Sequence, residues 1–548
     1  QDALKRKARA GAPHAAALAD AFRRRGAAVA LALLILVVLA LHVVGLGGDF
    51  LSDDFSHLSV IAQNDARGTL GTWLVERFFH GLDNGNFAFR PLAFVSYALD
   101  WRAYGANATG WHLTNLALYF INALAAASLV GRWLRDAPGK AAGALTAAAA
   151  MVAFPFAGEI SFWPVGRFDL LATLFSLLYL RALPPAARAR PINHAWRVLW
   201  LWCALLSKES AIPLPLIASL VCLCPVSTQG TDALRARIRF TVRETASTWI
   251  AFALYLAWRA KLFGSIWKVY PSSSPPHDLG EWLDRVLSVR HVIAANVSGA
   301  TAWIAIAGAL VVAMAVIALV QRQRLQRDLA LLGLVLLFCA AMYALAPTFS
   351  FPLAPANGDG GRHLYLAWVY ASLTLALAAA TSSASQGAIV ALLAVTVFSE
   401  AQSLGKWQVA AREMRRITSR IASFAERVPR GNYALLYLPD HVGPVLFGRN
   451  AQGGIVQPPR QPADYLDRMA VMTGDGFDEW SMRLSNMAGP GKAYPTNIDD
   501  IDKAALYCWN PRSDSIVPLT GGAASRNAGE WRREAAAKLQ SAGCFGAL

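Results

Sequence analysis

Apolar positions in this chain fall in long blocks separated by short polar stretches. Segments near 27–46, 111–131, 141–157, 169–184, 195–207, 211–224, 247–263, 299–320, 329–346, 364–381 and 387–404 approach the roughly 20 mostly apolar residues that carry a helix across a bilayer core. The pattern predicts about eleven helical crossings. The blocks at 195–207 and 211–224 are short, and read either as longer helices running into polar flanks or as a tightly paired hairpin. Between the first two blocks, 55–63 and 69–79 show helical spacing, the second offering Leu70, Trp73, Leu74, Phe78 and Phe79 to one apolar surface as membrane-lying helices do. Beyond 405 the pattern changes. A helical amphipathic stretch at 406–427 precedes short apolar runs at 433–438, 444–447, 504–509 and 515–519, set among Gly, Pro and Asn turns as strands are.

The expected fold is therefore mainly α, a polytopic membrane protein with amphipathic helices in its first outer loop and a small C-terminal α/β soluble domain. It divides into a basic arm (1–26), a membrane domain (27–404) and a soluble domain (405–548). Composition agrees: at 55% hydrophobic and 16% charged, the 548 residues are too apolar for an ordinary soluble enzyme.

The net charge of +16 adds orientation. Lys5, Arg6, Lys7, Arg9 and Arg23–Arg25 precede the first block, and alternate loops carry Arg132, Arg135 and Lys140, then Arg181, Arg188, Arg190 and Arg197, then Arg235–Arg243, then Arg322, Arg324 and Arg327. All lie on one side of the predicted topology, which makes that side cytoplasmic. Loops 47–110, 158–168, 208–210, 264–298 and 347–363, with the tail, then face outward. The cations are dispersed over inner loops with no aromatic-interleaved patch, which argues against nucleic acid as a partner. The first block reads as a retained signal anchor. Cys203, Cys222, Cys224 and Cys339 sit in apolar blocks as packing residues, whereas Cys508 and Cys544 are placed to pair if the tail meets an oxidising compartment.

Candidate chemistry concentrates on the outer side. Asp53 and Asp54 stand just past the first crossing, where unpaired charge is costly unless it is used. Arg90 before Pro91 is a cation on extended or turn backbone, and an ion pair with Asp100 is its structural alternative. Glu159, Arg167 and Asp169 enter the membrane boundary together, where an Arg167 pair with Asp169 or Glu159 is the plain reading. Lys208 and Glu209 place opposite charges at a third outer turn. Gly358–Gly361 leads to Arg362 and His363 at the level of a lipid phosphate; with no strand around it, this is no dinucleotide fingerprint. In loop 264–298, Trp267, Tyr270, His277 and Trp282 read first as interface anchors.

Taken in order, Asp53-Asp54, Phe89-Arg90-Pro91-Leu92, Gly110 to Asn115 with Asn122-Ala123-Leu124, Gly158-Glu159 with Gly166 to Thr173, Ser207-Lys208-Glu209 and Arg362-His363-Leu364-Tyr365-Leu366 resemble the C-type (GT-C) membrane glycosyltransferases over roughly residues 27–380. Within them the chain looks most like the branch of protein O-mannosyltransferases and the transmembrane tetratricopeptide-repeat mannosyltransferases, but it has no such repeats. The resemblance implies a sugar donor on a polyprenyl phosphate, transfer on the outer face, and an acid of the first outer loop as catalyst. Asp53 then matches the base and Asp54 its neighbour, and Arg362 matches a lipid-phosphate ligand, with Arg90, Glu159, Arg167, Asp169, Lys208, Glu209 and His363 lining the substrate site. Single displacement inverts the anomeric carbon. No metal is required, although a divalent cation at Asp53 and Asp54 is chemically open. The expected setting is a bacterial inner membrane with the N-terminus cytoplasmic and the tail periplasmic, the acceptor being a protein, glycan or lipid hydroxyl. A transporter or lipid flippase is the alternative; it predicts ionisable residues in mid-span rather than at the outer boundary.

Overall fold

The computed structural model describes residues 2–79, 88–135, 137, 139–183, 191–224, 234–266, 275–296, 324–349, 358–381, 383–429, 434–451, 454–474, 505–520, 537–539 and 541–545. The expected crossing at 299–320 and the aromatics Trp267 and Tyr270 lie outside them. Every other expected crossing is helical: α1 (Asp2–Gly45), α5 (Ala108–Trp133), α6 (Lys140–Val152), α8 (Arg167–Ala182), α9 (Pro191–Leu205), α10 (Leu214–Leu223), α11 (Leu234–Phe263), α14 (Arg324–Leu345), α15 (Tyr365–Thr381) and α16 (Ser383–Arg427). Among the described residues, five helices are long and apolar enough to span a membrane, Phe22–Gly45, Ala108–Trp133, Leu325–Thr348, Gly361–Thr381 and Ser385–Arg427. The protein is a multi-pass membrane protein.

The bundle centre is α5, α6, α14 and α15 packed side by side, with α8 and α9 beyond α5 and with α1 against α16. Small residues permit this. A Cβ at Gly139 would fall 2.1 Å from the Ala380 carbonyl oxygen and one at Gly143 2.5 Å from Leu134, so α6 seats against α15 nearly backbone to backbone.

Three shorter helices lie between α1 and α5: α2 (Asp53–Ala66), α3 (Leu70–Phe79) and α4 (Pro91–Tyr104). Pro91 opens α4 because its missing N–H would be unpaired there anyway. Asn107 caps α5 by accepting the Thr109 N–H at 3.2 Å, so the Asn107-Ala108-Thr109 triplet has a local structural use. The connection from α6 to α8 holds α7 (Ala157–Ser161), and α12 (Leu279–Leu287) and α13 (Val289–Asn296) follow α11.

Two features differ from the sequence reading. The amphipathic stretch at 406–427 is not a separate helix but the continuation of α16, 45 residues without a break, across the expected domain boundary at 404. The soluble domain also has a strand that the pattern did not predict. Its sheet runs β4 (Met469–Gly474), β1 (Ala434–Pro439), β5 (Ala505–Asn510), β6 (Ser515–Thr520); β1 is parallel to both neighbours, and β5 and β6 are antiparallel. A small hairpin, β2 (His441–Val442) with β3 (Val445–Leu446), follows β1 directly. The end of α16 closes one side of the sheet, where Phe424 meets Tyr507 edge-on at 4.8 Å and Glu413 accepts the Trp509 indole N–H at 2.9 Å. Cys508 and Cys544 form a disulfide.

Candidate active site

The acidic pair opens α2, where carboxylates suit the positive end of the helix dipole. Its two members have different surroundings. Asp54 is buried, and its oxygens accept the Leu51 N–H at 3.0 Å and the Val165 N–H at 3.2 Å, joining the start of α2 to the segment that precedes α8. Burial pushes its pKa well above the ordinary carboxylate value, with Asp53 adding to the rise and the two N–H groups and Arg167 opposing it. Asp53 is half-buried, and its Oδ1 accepts from Asn450 Nδ2 at 2.5 Å. Before it, Ser52 takes a left-handed φ of 51°, held by its N–H on the Phe447 carbonyl at 2.8 Å and its hydroxyl on the Arg449 carbonyl at 2.7 Å.

One helical turn on from Asp53 lies His57, on the same face of α2. The rings of Phe94, Tyr97 and Phe168 surround it at 5.3, 5.6 and 6.0 Å. Burial lowers its basicity, Asp53 raises it and Arg90 lowers it further, so His57 lies within the field of both the acid and the nearest cation. The Phe168 ring joins the two sides, since the Arg90 guanidinium sits 4.9 Å above it. Trp163 does the same on the other flank: its indole N–H donates to the Leu51 carbonyl at 3.2 Å, and Arg362 stacks on its ring at 4.8 Å.

Three separate loops supply the cations, each braced by a carboxylate from another element. Lys208 donates to both oxygens of Asp169, at 2.6 and 2.7 Å. Arg90 bonds Glu209 at 3.0 Å, and the same carboxylate accepts the Phe89 N–H at 2.6 Å and lies 3.7 Å from Arg259. Arg362 pairs with Glu159, which also accepts the Arg362 and Gly360 N–H groups at 3.1 and 3.3 Å. Gly360 makes that last turn at φ 99°. Burial lowers the Lys208 ammonium, partly offset by Asp169 and reinforced by Arg90 and Arg362. His363 lies within the electrostatic reach of Arg362, Lys208 and Arg90.

Two expected pairings are corrected. Arg90 pairs with Glu209, not Asp100, because α4 begins beside the 208–211 turn. Arg167 pairs with neither Asp169 nor Glu159 but with Asp100 at 2.5 Å; fully buried, it also donates to Asn115 Oδ1 at 2.8 Å and the Trp111 carbonyl at 3.0 Å. Its guanidinium staples α8 to α4 and α5.

Several residues at the site escaped the sequence reading. His57 had a usable signal, four residues from Asp53 on a predicted helix. Asn450 had none, and neither did Asp359, whose carboxylate meets His441 of the soluble domain at 3.0 Å. Burial opposes ionisation of Asp359, but His441, Arg362 and Arg449 outweigh it and hold it below the ordinary carboxylate range. As for a divalent cation, both Asp54 oxygens already accept N–H donors, which leaves Asp53 as the member of the pair able to offer a ligand. Among the described residues no three His, Cys, Asp or Glu side chains gather as a metal site would.

No family model matches the chain. Over 210 residues, 35% of its length, it is 31% identical to the protein O-mannosyl-transferase Tmtc1 of Drosophila melanogaster. That match spans 22% of the relative, so the chain covers about a fifth of it. Among solved structures, ArnT from Cupriavidus metallidurans bound to undecaprenyl phosphate aligns at 13% identity and a TM-score of 0.46, over 83% of this chain and 87% of that one. The apo form of ArnT aligns at 13% identity and a TM-score of 0.39, over 88% and 93%. In sequence, the chain resembles the C-type membrane glycosyltransferases, and protein O-mannosyl-transferases among them.

Proposed function

We propose that the chain transfers a sugar from a polyprenyl-phosphate-linked donor to an acceptor hydroxyl on the outer face of the membrane, with inversion at the anomeric carbon. Asp53 takes the acceptor proton as the hydroxyl oxygen bonds to that carbon. The bond from the carbon to the phosphate oxygen breaks, and the electron pair leaves with the polyprenyl phosphate. Lys208, Arg90 and Arg362 stabilise that anion, and His363 offers it a ring N–H. Asp169, Glu209 and Glu159 hold those cations in place. Asp54 and Arg167 act one step back, by fixing the loops that carry Asp53 and Phe168.

The observation that carries this reading is the meeting of cations from three separate outer loops around His363, joined through Phe168 and Trp163 to the helix that begins at Asp53. The name of the curated relative supports transfer, and mannose among the sugars. The arrangement of positive charge and the disulfide in the tail support a cytoplasmic N-terminus and an outward-facing soluble domain; the setting proposed is a bacterial inner membrane with undecaprenyl phosphate as carrier. Since cationic side chains carry the phosphate, EDTA should leave transfer unchanged; its loss, and recovery with Mg²⁺ or Mn²⁺, would assign a metal role to Asp53.

The test uses purified protein with undecaprenyl-phosphate-linked mannose, glucose and galactose, offered to hydroxyl-bearing peptides, envelope glycans and lipids. Wild type should transfer at least one of the sugars, and Asp53→Asn should lose roughly 10²–10⁴-fold in turnover while still binding undecaprenyl phosphate. Full turnover by Asp53→Asn would remove Asp53 as the base.

A further inference from the structure

The soluble domain reaches the acid end of the site along one stretch of chain. Residues 447–451 and Gly454 lie across the start of α2: Ser52 bonds the Phe447 and Arg449 carbonyls, and the Ser56 hydroxyl donates to the Asn450 carbonyl at 2.5 Å. Gly454 packs so close that a Cβ would stand 2.3 Å from the Phe55 carbonyl oxygen. This stretch carries Asn450, whose side-chain amide meets Asp53 Oδ1 at 2.5 Å across 397 residues of sequence.

We propose that Asn450 is a positioning residue for Asp53, so that the soluble domain completes the active site; this rests on the transferase reading above. The amide holds Oδ1 and leaves Oδ2 as the atom that takes the acceptor proton. Without that hydrogen bond the half-buried carboxylate turns about its Cβ–Cγ bond, and the fraction of time its lone pair meets the acceptor hydroxyl falls. The backbone at 450 has a φ of +59°, which Asn and Asp tolerate better than other side chains. A plain backbone explanation for Asn therefore exists, and it predicts a different ranking of variants. Glycine keeps the backbone and removes the amide. Aspartate keeps the backbone and shape but sets a second carboxylate against Asp53.

The experiment measures kcat and KM for undecaprenyl-phosphate mannose, glucose and galactose, together with the stoichiometry of undecaprenyl phosphate binding, in wild type, Asn450→Gly and Asn450→Asp. If Asn450 positions Asp53, kcat falls roughly 10-fold in Asn450→Gly and roughly 100-fold in Asn450→Asp, while KM and lipid stoichiometry hold. A backbone role alone puts Asn450→Asp at wild-type turnover, and that result overturns the proposal. So does a loss of lipid binding in step with turnover, or an unchanged Asn450→Gly. A wild-type protein inert with every donor would instead remove the transferase reading, and this role with it.

Discussion

Asp54 spends both carboxylate oxygens on main-chain N–H groups of two different loops, so an amide at this position leaves one acceptor facing two donors. The cost of a buried N–H left without a partner is about 1–3 kcal/mol. We expect Asp54→Asn to lower the midpoint of thermal unfolding yet to keep sugar transfer per folded molecule within a few-fold of wild type, whereas Asp53→Asn reverses that pattern. The pH dependence has a definite sign. Burial raises the Asp54 pKa above its unfolded value near 3.8, so the folded state holds the proton more tightly. The stability from this group is therefore greatest at low pH and erodes as pH rises from about 3.8 through the raised folded value. Asp54→Asn should flatten that slope in chemical denaturation series between pH 4 and 8. An unchanged slope would place the titration elsewhere.

At the scale of elements, the loops of the site are joined by carboxylates that each serve more than one neighbour. Glu209 links the 208–211 turn to the start of α4 through Arg90 and the Phe89 N–H, and to α11 through Arg259. Burial works against its ionisation, but Arg90, Arg259 and the Phe89 N–H outweigh it and leave it below the ordinary glutamate value. Its stabilisation is present above about pH 4.5 and is lost as pH falls through the lower folded value. Glu209→Gln keeps a hydrogen bond but leaves two arginines without their charge partner, which should cost roughly 3 kcal/mol at pH 7 and much less near pH 3. Equal losses at both pH values would contradict the ion-pair account. The same geometry explains what was legible beforehand. A helix crossing a bilayer is specified by its own apolar run, so α5, α8 and α15 could be read locally. Arg90 and Glu209 are 119 residues apart, and no spacing rule connects them; it is the packing of α4 beside the 208–211 turn that excludes Asp100 as the partner of Arg90. Strand β4 was missed for a related reason, since Met469–Met472 is a short apolar run buried on both faces and lacks the alternation that marks a half-exposed strand.

Across the whole molecule, α16 is the element that spans both environments. At 45 residues it is roughly 65–70 Å long, more than twice the hydrocarbon thickness of about 30 Å, so its second half must stand outside the membrane and carry the soluble domain with it. The domain is then latched at a second point. Asp49, buried just past α1, accepts the Thr418 hydroxyl of α16 at 2.7 Å and pairs with Arg460 of the soluble domain, while Gln461 donates to the Thr418 carbonyl at 3.1 Å. This three-way contact holds residues 447–451, and Asn450 with them, against α2. Asp49→Ala removes the shared acceptor and strands the Arg460 charge. The expected result is faster cleavage within 434–474 by added protease and a roughly 10-fold fall in sugar transfer. Undecaprenyl phosphate binding should persist, because Lys208, Arg90 and Arg362 all belong to the membrane part. Loss of lipid binding together with transfer would mean that the latch supports the cation cluster as well. Unchanged proteolysis and transfer would mean that α16 alone fixes the domain.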